Sequence, residues 1–169
     1  MKLRLADPEL KLMQEAEVNE LLNQPIYLRV AMIDARDGTP LVHPIWYHYK
    51  DEKFFAVSNY DGTKIRSLKK NPNVYFPVDV ADRGVRGKGK AKVVDDSDCA
   101  TKVATHNIMR YLGSIDSQEA KSRIEIAKKY YGVIEITPPL HGNLEGLREI
   151  ASLSDFCINA SKCVIGTRS

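Results

Sequence analysis

The 169-residue chain carries a formal net charge of +3, with 43% hydrophobic and 28% charged residues. It is long enough for one domain with a proper core and too rich in apolar residues for disorder. The mild positive balance admits an anionic ligand but falls short of a nucleic-acid-binding signature, so any such argument rests on local patches.

The N-terminal run "MKLRLADPELKLMQEAEVNELL" alternates charge with apolar residues and holds no apolar core of signal-peptide length. No segment approaches the roughly 20 apolar residues of a membrane span. Cys99, Cys157 and Cys163 lack Cys-x-x-Cys spacing and read as reduced thiols of a cytoplasmic protein, which leaves the sequon at Asn159 without weight.

Asp7-Pro8 reads as an N-cap followed by Pro at the first helical position, opening a helix that runs to about Asn23. "PIYLRVAMIDARDGTPLVHPIWYHYKDEKFFAVS" then reads as three strands separated by turn clusters at "RDGTP" and "YKDEK". Their short connections predict an antiparallel meander. A helix of about two turns is expected from Thr63 to Lys70. "NVYFPVDVA" is a fourth strand whose Pro77 predicts a bulge or an edge.

The next strand, "VRGKGKAKVVDD", places Arg86, Lys88 and Lys90 on one face and Gly87, Gly89, Ala91 and Val93 on the other. The cationic face reads as solvated, and the small face as a place where another backbone or a flat ligand comes close. Residues from Asp95 to Tyr131 look helical in two pieces broken near "LGSIDS", with Ser97 or Asp98 capping the first and Ser117 the second. "GVIEIT" is a further strand, stopped by Pro138-Pro139, and the tail suggests a short helix over Leu144–Ala151 and a strand near Cys157–Ile165. Strands in succession with small helices between them predict a mainly β, α+β domain: a six- to seven-stranded antiparallel barrel with short helices. One domain spans 1–169, its core lies at about 18–137, and 138–169 is an unassigned extension.

His43 and His48 lie five apart on one expected strand, so they point to opposite faces and share no metal. His106 and His141 are isolated, and no metal site is expected. Gly-x-Ser-x-Gly, Walker and Rossmann patterns are absent from the sequence. The remaining candidate is "SNYDGTKIRSLKKNPNV", Ser58 to Val74. The first N–H groups of a helix lack internal partners and carry partial positive charge, so an anion is welcome there. Thr63 offers a hydroxyl, Lys64 an ammonium, Arg66 a guanidinium, and Ser58 reaches in from the strand end. The bland alternative is a hairpin exit and a solvated basic helix capped by Asp61 or Thr63. Upstream, "LVHPIWYHY" puts Pro44 in mid-strand beside Trp46, the single tryptophan. That frees backbone groups beside a flat ring and suits a planar head joined to a phosphate tail.

The run "TPLVHPIWYHYKDEKFFAVSNYDGTKIRSLKKNPNVYFPVDV", followed by "VRGKGKAKVVDD", resembles the flavin-binding split barrels related to pyridoxamine 5′-phosphate oxidase. The most specific part is hydroxyl–x4–Thr-Lys-x-x-x-Leu-x-x-Asn-Pro, here Ser58 to Pro72. The resemblance implies that Ser58, Thr63 and Lys64, with Arg66, hold the phosphate of FMN. It implies that His43, Pro44, Ile45, Trp46 and Tyr47 line the isoalloxazine ring, with Val57 beside it. It also implies a homodimer with two flavins at the subunit interface, to which the small face of the fifth strand would be suited. The C-terminal Arg/His segment with which the true oxidase grips its substrate has no match here, so that activity is not carried over. The expected function is an FMN-dependent oxidoreductase, with NAD(P)H or another small molecule as redox partner. The alternatives are a flavin or deazaflavin carrier or sensor, a deazaflavin-dependent reductase, or a haem-binding relative. A nucleic-acid module built on Arg83, Arg86, Lys88 and Lys90 ranks last, because few aromatic residues interleave with those cations.

Overall fold

The computed structural model describes residues 13–80 and 83–138. In chain order the elements are α1 (Glu15–Leu22), β1 (Leu28–Ile33), β2 (Pro40–Ile45), β3 (His48–Lys50), β4 (Lys53–Asn59), α2 (Thr63–Lys70), β5 (Asn73–Val80), β6 (Arg83–Val94), α3 (Ser97–Leu112), α4 (Gln118–Tyr130) and β7 (Tyr131–Thr137). The strands form one seven-stranded sheet in the order β2-β1-β5-β6-β7-β4-β3, with every neighbouring pair antiparallel. The helix expected to run from Asp7-Pro8 to about Asn23 is not continuous: Gln14 is extended and is the N-cap of α1, which starts only at Glu15. Asp7-Pro8 itself and both elements expected in the tail lie outside the described residues.

Period-two alternation sets the inner face. Leu28, Val30 and Met32 of β1, and Val74, Phe76 and Val78 of β5, are buried while their neighbours face outwards. One core cluster joins these to Ile45, Phe54, Ala56, Ala91, Ile134 and Ile136, with α1 adding Val18 and Leu22, and α2 adding Ile65 and Leu68. A second, smaller core lies under α3, where Cys99, Ala100 and Val103 cover Phe55 and Val133.

Two observations show that the sheet curls. Phe54 and Phe76 meet with ring centroids 5.0 Å apart, although β4 and β5 are three strand positions apart, about 14 Å in a flat sheet. The outermost strands, β2 and β3, are also consecutive in the chain, joined only by Trp46 and Tyr47. Three Cα steps span at most about 11 Å, so the two edges nearly meet and the sheet is a split, mainly β half-barrel.

That crossing corrects the expected three-strand meander. There are four strands between Leu28 and Asn59; β1–β2 and β3–β4 are hairpins at opposite edges of the sheet. The sequence carries no turn signal at Trp46-Tyr47, so the two strands merge in a linear reading. His43 and His48 accordingly sit on different strands, β2 and β3. Pro77 makes neither a bulge nor an edge: β5 stays in register with β6 through Pro77↔Arg86. On its other side the one paired position with β1 is Ala31↔Tyr75, so little ladder is left there for the missing N–H to interrupt.

The small face of β6 does admit close neighbours, one of them another backbone as expected, and they belong to the chain itself. A Cβ at Gly87 would stand 3.1 Å from the Phe76 ring, and one at Gly89 would stand 3.0 Å from the Thr137 carbonyl oxygen and 3.1 Å from Ile136 Cγ2. These glycines make room for the chain's own Phe76 and for β7. Helix caps follow local chemistry. Ser117 Oγ accepts from the Ala120 N–H at 3.1 Å, as its sequence position predicts. The cap of α3 is Asp96, accepting from Cys99 at 2.8 Å, and not Ser97 or Asp98. A cap needs extended backbone, which Asp96 has, whereas Ser97 is already helical. Gly113, at φ +75°, ends α3 in the left-handed region.

Gly89→Ala drives a Cβ against rigid strand backbone and is expected to destabilise the fold by roughly 1–3 kcal/mol. The denaturant midpoint measures this, and an unchanged midpoint would show that β6 and β7 have room to spare.

Candidate functional site

The local chain path prepares the start of α2. At the end of β4 the Asn59 Oδ1 accepts from the Asp61 N–H at 2.9 Å, and the Asn59 carbonyl accepts from the Gly62 N–H at 3.0 Å. Gly62 is the N-cap, and no side chain caps the helix. Neither Asp61 nor Thr63 plays that role. Asp61 is exposed and points no charge into the cleft described below. The N–H groups of the first helical turn are left without intrahelical acceptors.

The helix itself is firmly held. Ile65 and Leu68 are buried in the main core. Fully buried Ser67 accepts from the Ala35 N–H at 3.0 Å, and Lys70 Nζ donates to the Ala35 carbonyl at 3.0 Å. These bonds tie α2 to the β1–β2 turn. There Arg36 binds the buried Asp34 carboxylate and holds its pKa down at about 2.

A cleft of about 320 Å³ opens at the helix start. Gly62, Thr63 and Lys64 line it from α2, and Val57, Ser58 and Asn59 from β4. His43 of β2 and Tyr131 of β7 complete the wall. β2 and β4 are five positions apart in the sheet order, so only the curl brings them to one cleft. Burial pushes the Lys64 pKa down. The His43 pKa is lowered by burial first and then by the Lys64 charge, with Asp34 opposing. The His43 Nε2 is buried and has no hydrogen-bond partner. The cleft therefore presents a cation, hydroxyls and first-turn backbone donors, a donor set suited to an oxyanion, with the His43 imidazole in its wall.

Of the residues singled out from sequence, the structure gathers His43, Val57, Ser58, Thr63 and Lys64 in this cleft. The others lie elsewhere. Pro44 is exposed on edge strand β2, where a missing N–H costs little. Ile45 and Tyr47 are in the core, with the Tyr47 hydroxyl donating to the Leu22 carbonyl at 2.9 Å. Trp46 stacks on Tyr111 at 4.8 Å and 6°, with the Arg123 guanidinium 5.4 Å from its ring. Arg66 is exposed and does not line the cleft; its charge helps to lower the Asp34 pKa.

Asn59, Gly62 and Tyr131 escaped the sequence reading. The first two sit inside the motif and were legible as the turn that leaves the helix uncapped. Tyr131 arrives through the pairing of β7 with β4, Asn59↔Tyr131, which no local signal announces. Arg110 was also missed. It donates to the carbonyls of Leu22 at 2.6 Å, Tyr47 at 3.1 Å and Gln24, and lies 4.3 Å over the Tyr47 ring. It fixes the crossing between β2 and β3.

A family model for pyridoxamine 5′-phosphate oxidase matches residues 14–139. The chain belongs to that family. An F420 reductase is 24% identical, with 75% of this chain and 96% of that chain covered and a TM-score of 0.59. A conserved hypothetical protein of Mycobacterium tuberculosis is 22% identical over 80% and 94% of the two chains, with a TM-score of 0.64. The haem storage protein HutZ of Vibrio cholerae is 19% identical over 74% and 89%, with a TM-score of 0.57. At these identities the likeness is one of fold. No curated protein sequence is similar enough to match. Among the described residues no group of three or more His, Cys, Asp or Glu is placed to hold a metal ion, and no helix is long and apolar enough to cross a membrane.

Beside the crossing, His48 of β3 lies 5.0 Å from His106 of α3, ring centre to ring centre. Burial first, then the charges of His106, Arg110 and Lys50, lower the His48 pKa to about 4. The unfolded chain, with an ordinary histidine near 6.5, then binds more protons than the folded one between those values. Stability is full above the higher value and falls as pH drops towards the lower. His48→Gln is expected to flatten this fall in an unfolding series across that window; an unchanged slope would assign the acid sensitivity to other groups.

Proposed function

We propose that this chain binds FMN and works as a cytoplasmic, homodimeric flavin-dependent oxidoreductase. The observation that carries the reading is the uncapped start of α2, where Thr63 and Lys64 face a cleft that His43 also lines. In this reading the first-turn N–H groups, the Thr63 and Ser58 hydroxyls and the Lys64 ammonium hold the FMN phosphate. The ring extends along β2 past Val57, against strand backbone. Among the described residues β2 pairs only with β1, so its other edge has donors and acceptors to offer a flat heterocycle.

FMN, when bound, supplies hydride and electron transfer. The chain's own part is to bind, orient and shield. Buried Ile65, Leu68 and Ser67 keep α2 from shifting when charge enters the cleft. Arg110 and Tyr111 hold the strand crossing beside it. The homodimer is supported by apolar side chains on the outer sheet face, where Val42, Ile33 and Tyr75 are 56%, 40% and 40% exposed. A partner surface would cover them.

The visible spectrum of the purified protein, with the released chromophore weighed, tests the cofactor. The double band of an oxidised flavin, released as FMN, is expected; a deazaflavin or haem spectrum would keep the fold and replace the chemistry. Reduction by NAD(P)H followed by reoxidation by an acceptor separates an enzyme from a carrier. Thr63→Ala combined with Lys64→Ala is expected to weaken FMN binding by about 2–4 kcal/mol through loss of charge-assisted hydrogen bonds. Unchanged affinity in a folded variant would move the phosphate elsewhere.

A further inference from the structure

We infer that His43 is a proton-linked ligand of the phosphate: its imidazole takes up a proton as a phosphate dianion enters the cleft and donates to it from Nε2. This rests on the FMN reading and adds a regulation of that site, a pH-dependent affinity.

The geometry is specific. His43 reaches the cleft from β2, on a different element from Lys64, and both line the same 320 Å³. Its Nε2 is buried without a partner. Native proteins rarely leave a buried polar nitrogen unsatisfied, because the desolvation cost is then unrecovered. An incoming oxyanion supplies the missing partner, and only a protonated or Nε2–H imidazole suits it.

Charge balance decides between those two. The charges acting on His43 are Lys64 from α2 and Asp34 from the β1–β2 turn, and Tyr131 of β7, Ser58 and Thr63 line the same cleft. In the free protein, burial and the Lys64 cation both disfavour a second positive charge, so His43 is neutral at pH 7. A phosphate monoester above its second pKa, near 6, carries close to two negative charges. Lys64 matches one of them. A proton on His43 matches the other, and the half-buried cleft becomes neutral. The bound-state pKa of His43 is therefore raised. The resulting gain in binding is complete below the free-state pKa and is lost as pH rises through the bound-state pKa.

The test is a calorimetric titration of FMN into the full chain, freed of any co-purified flavin, between about pH 6.5 and 8.5, where the phosphate stays largely dianionic. Buffers of unequal ionisation enthalpy report the proton. Uptake approaching one proton per site is expected near neutrality, with affinity falling by up to about tenfold per pH unit above it. Riboflavin, which lacks the phosphate, should show neither effect. His43→Asn should bind FMN roughly tenfold more weakly at the acid end and about equally at the alkaline end, having lost one charge-assisted hydrogen bond. Should that variant misfold, the wild-type proton uptake decides alone. FMN binding without proton uptake, or uptake that persists in His43→Asn, overturns this inference and leaves the FMN reading standing. Failure of the wild-type chain to bind FMN overturns both.

Discussion

The structure depends on the curl that brings the two ends of a seven-stranded sheet within two residues of each other. Phe76 lies across Gly87 and Gly89 and reaches Phe54 on the far side. Side chains at those two glycine positions would hold the ring off and open the curve. With the curve in place, the chain passes from one edge strand to the other through Trp46 and Tyr47 alone. Arg110 clasps that crossing to the end of α1, one guanidinium being shared among the carbonyls of Tyr47 in the crossing and of Leu22 and Gln24 where α1 ends. A buried or half-buried carbonyl left bare would cost about as much as a lost hydrogen bond, so the clasp and the crossing form a unit.

The cleft is a by-product of the same curvature. α2 starts where β4 ends, and β2 comes round to face it, so His43 and Lys64 share a small volume despite their distance in the sheet. The helix start sacrifices a side-chain cap. A Cβ at Gly62 would stand 3.0 Å from the Asn59 carbonyl oxygen, so the tight turn after β4 favours the residue without a side chain, which brings no capping oxygen. The unsatisfied donors face the cleft, and tertiary bonds from Ser67 and Lys70 hold the helix in place. Stability withheld at the N-terminus is available to a ligand.

Elsewhere, among the described residues, the buried charges are paired. Lys53 and Glu135, only 10% and 7% exposed, meet at 2.8 Å between β4 and β7, where each offsets the desolvation of the other. Asp34 is matched by Arg36. Against that background the buried His43 Nε2 has no hydrogen-bond partner among the described residues. The unsatisfied Asn107 Oδ1, buried on α3, is the other such atom among the described residues.

The sequence by itself determined most of the strands and helices, because alternation is local, though it merged β2 with β3. The inward set on β1 and β5, the span of α2 and the Ser117 cap all follow from neighbours a few residues apart. Tertiary structure decided which strand lies beside which. Alternation says which side chains face inwards but not what they meet there, so the small face of β6 gave no sign of Phe76. Nor did "HPIWYHY" reveal a passage between opposite edges. Tyr131 enters the cleft only because β7 pairs with β4, and His43 only because the sheet curls. Such placements arise from contacts between residues far apart in the chain, where packing and loop closure outweigh local preference.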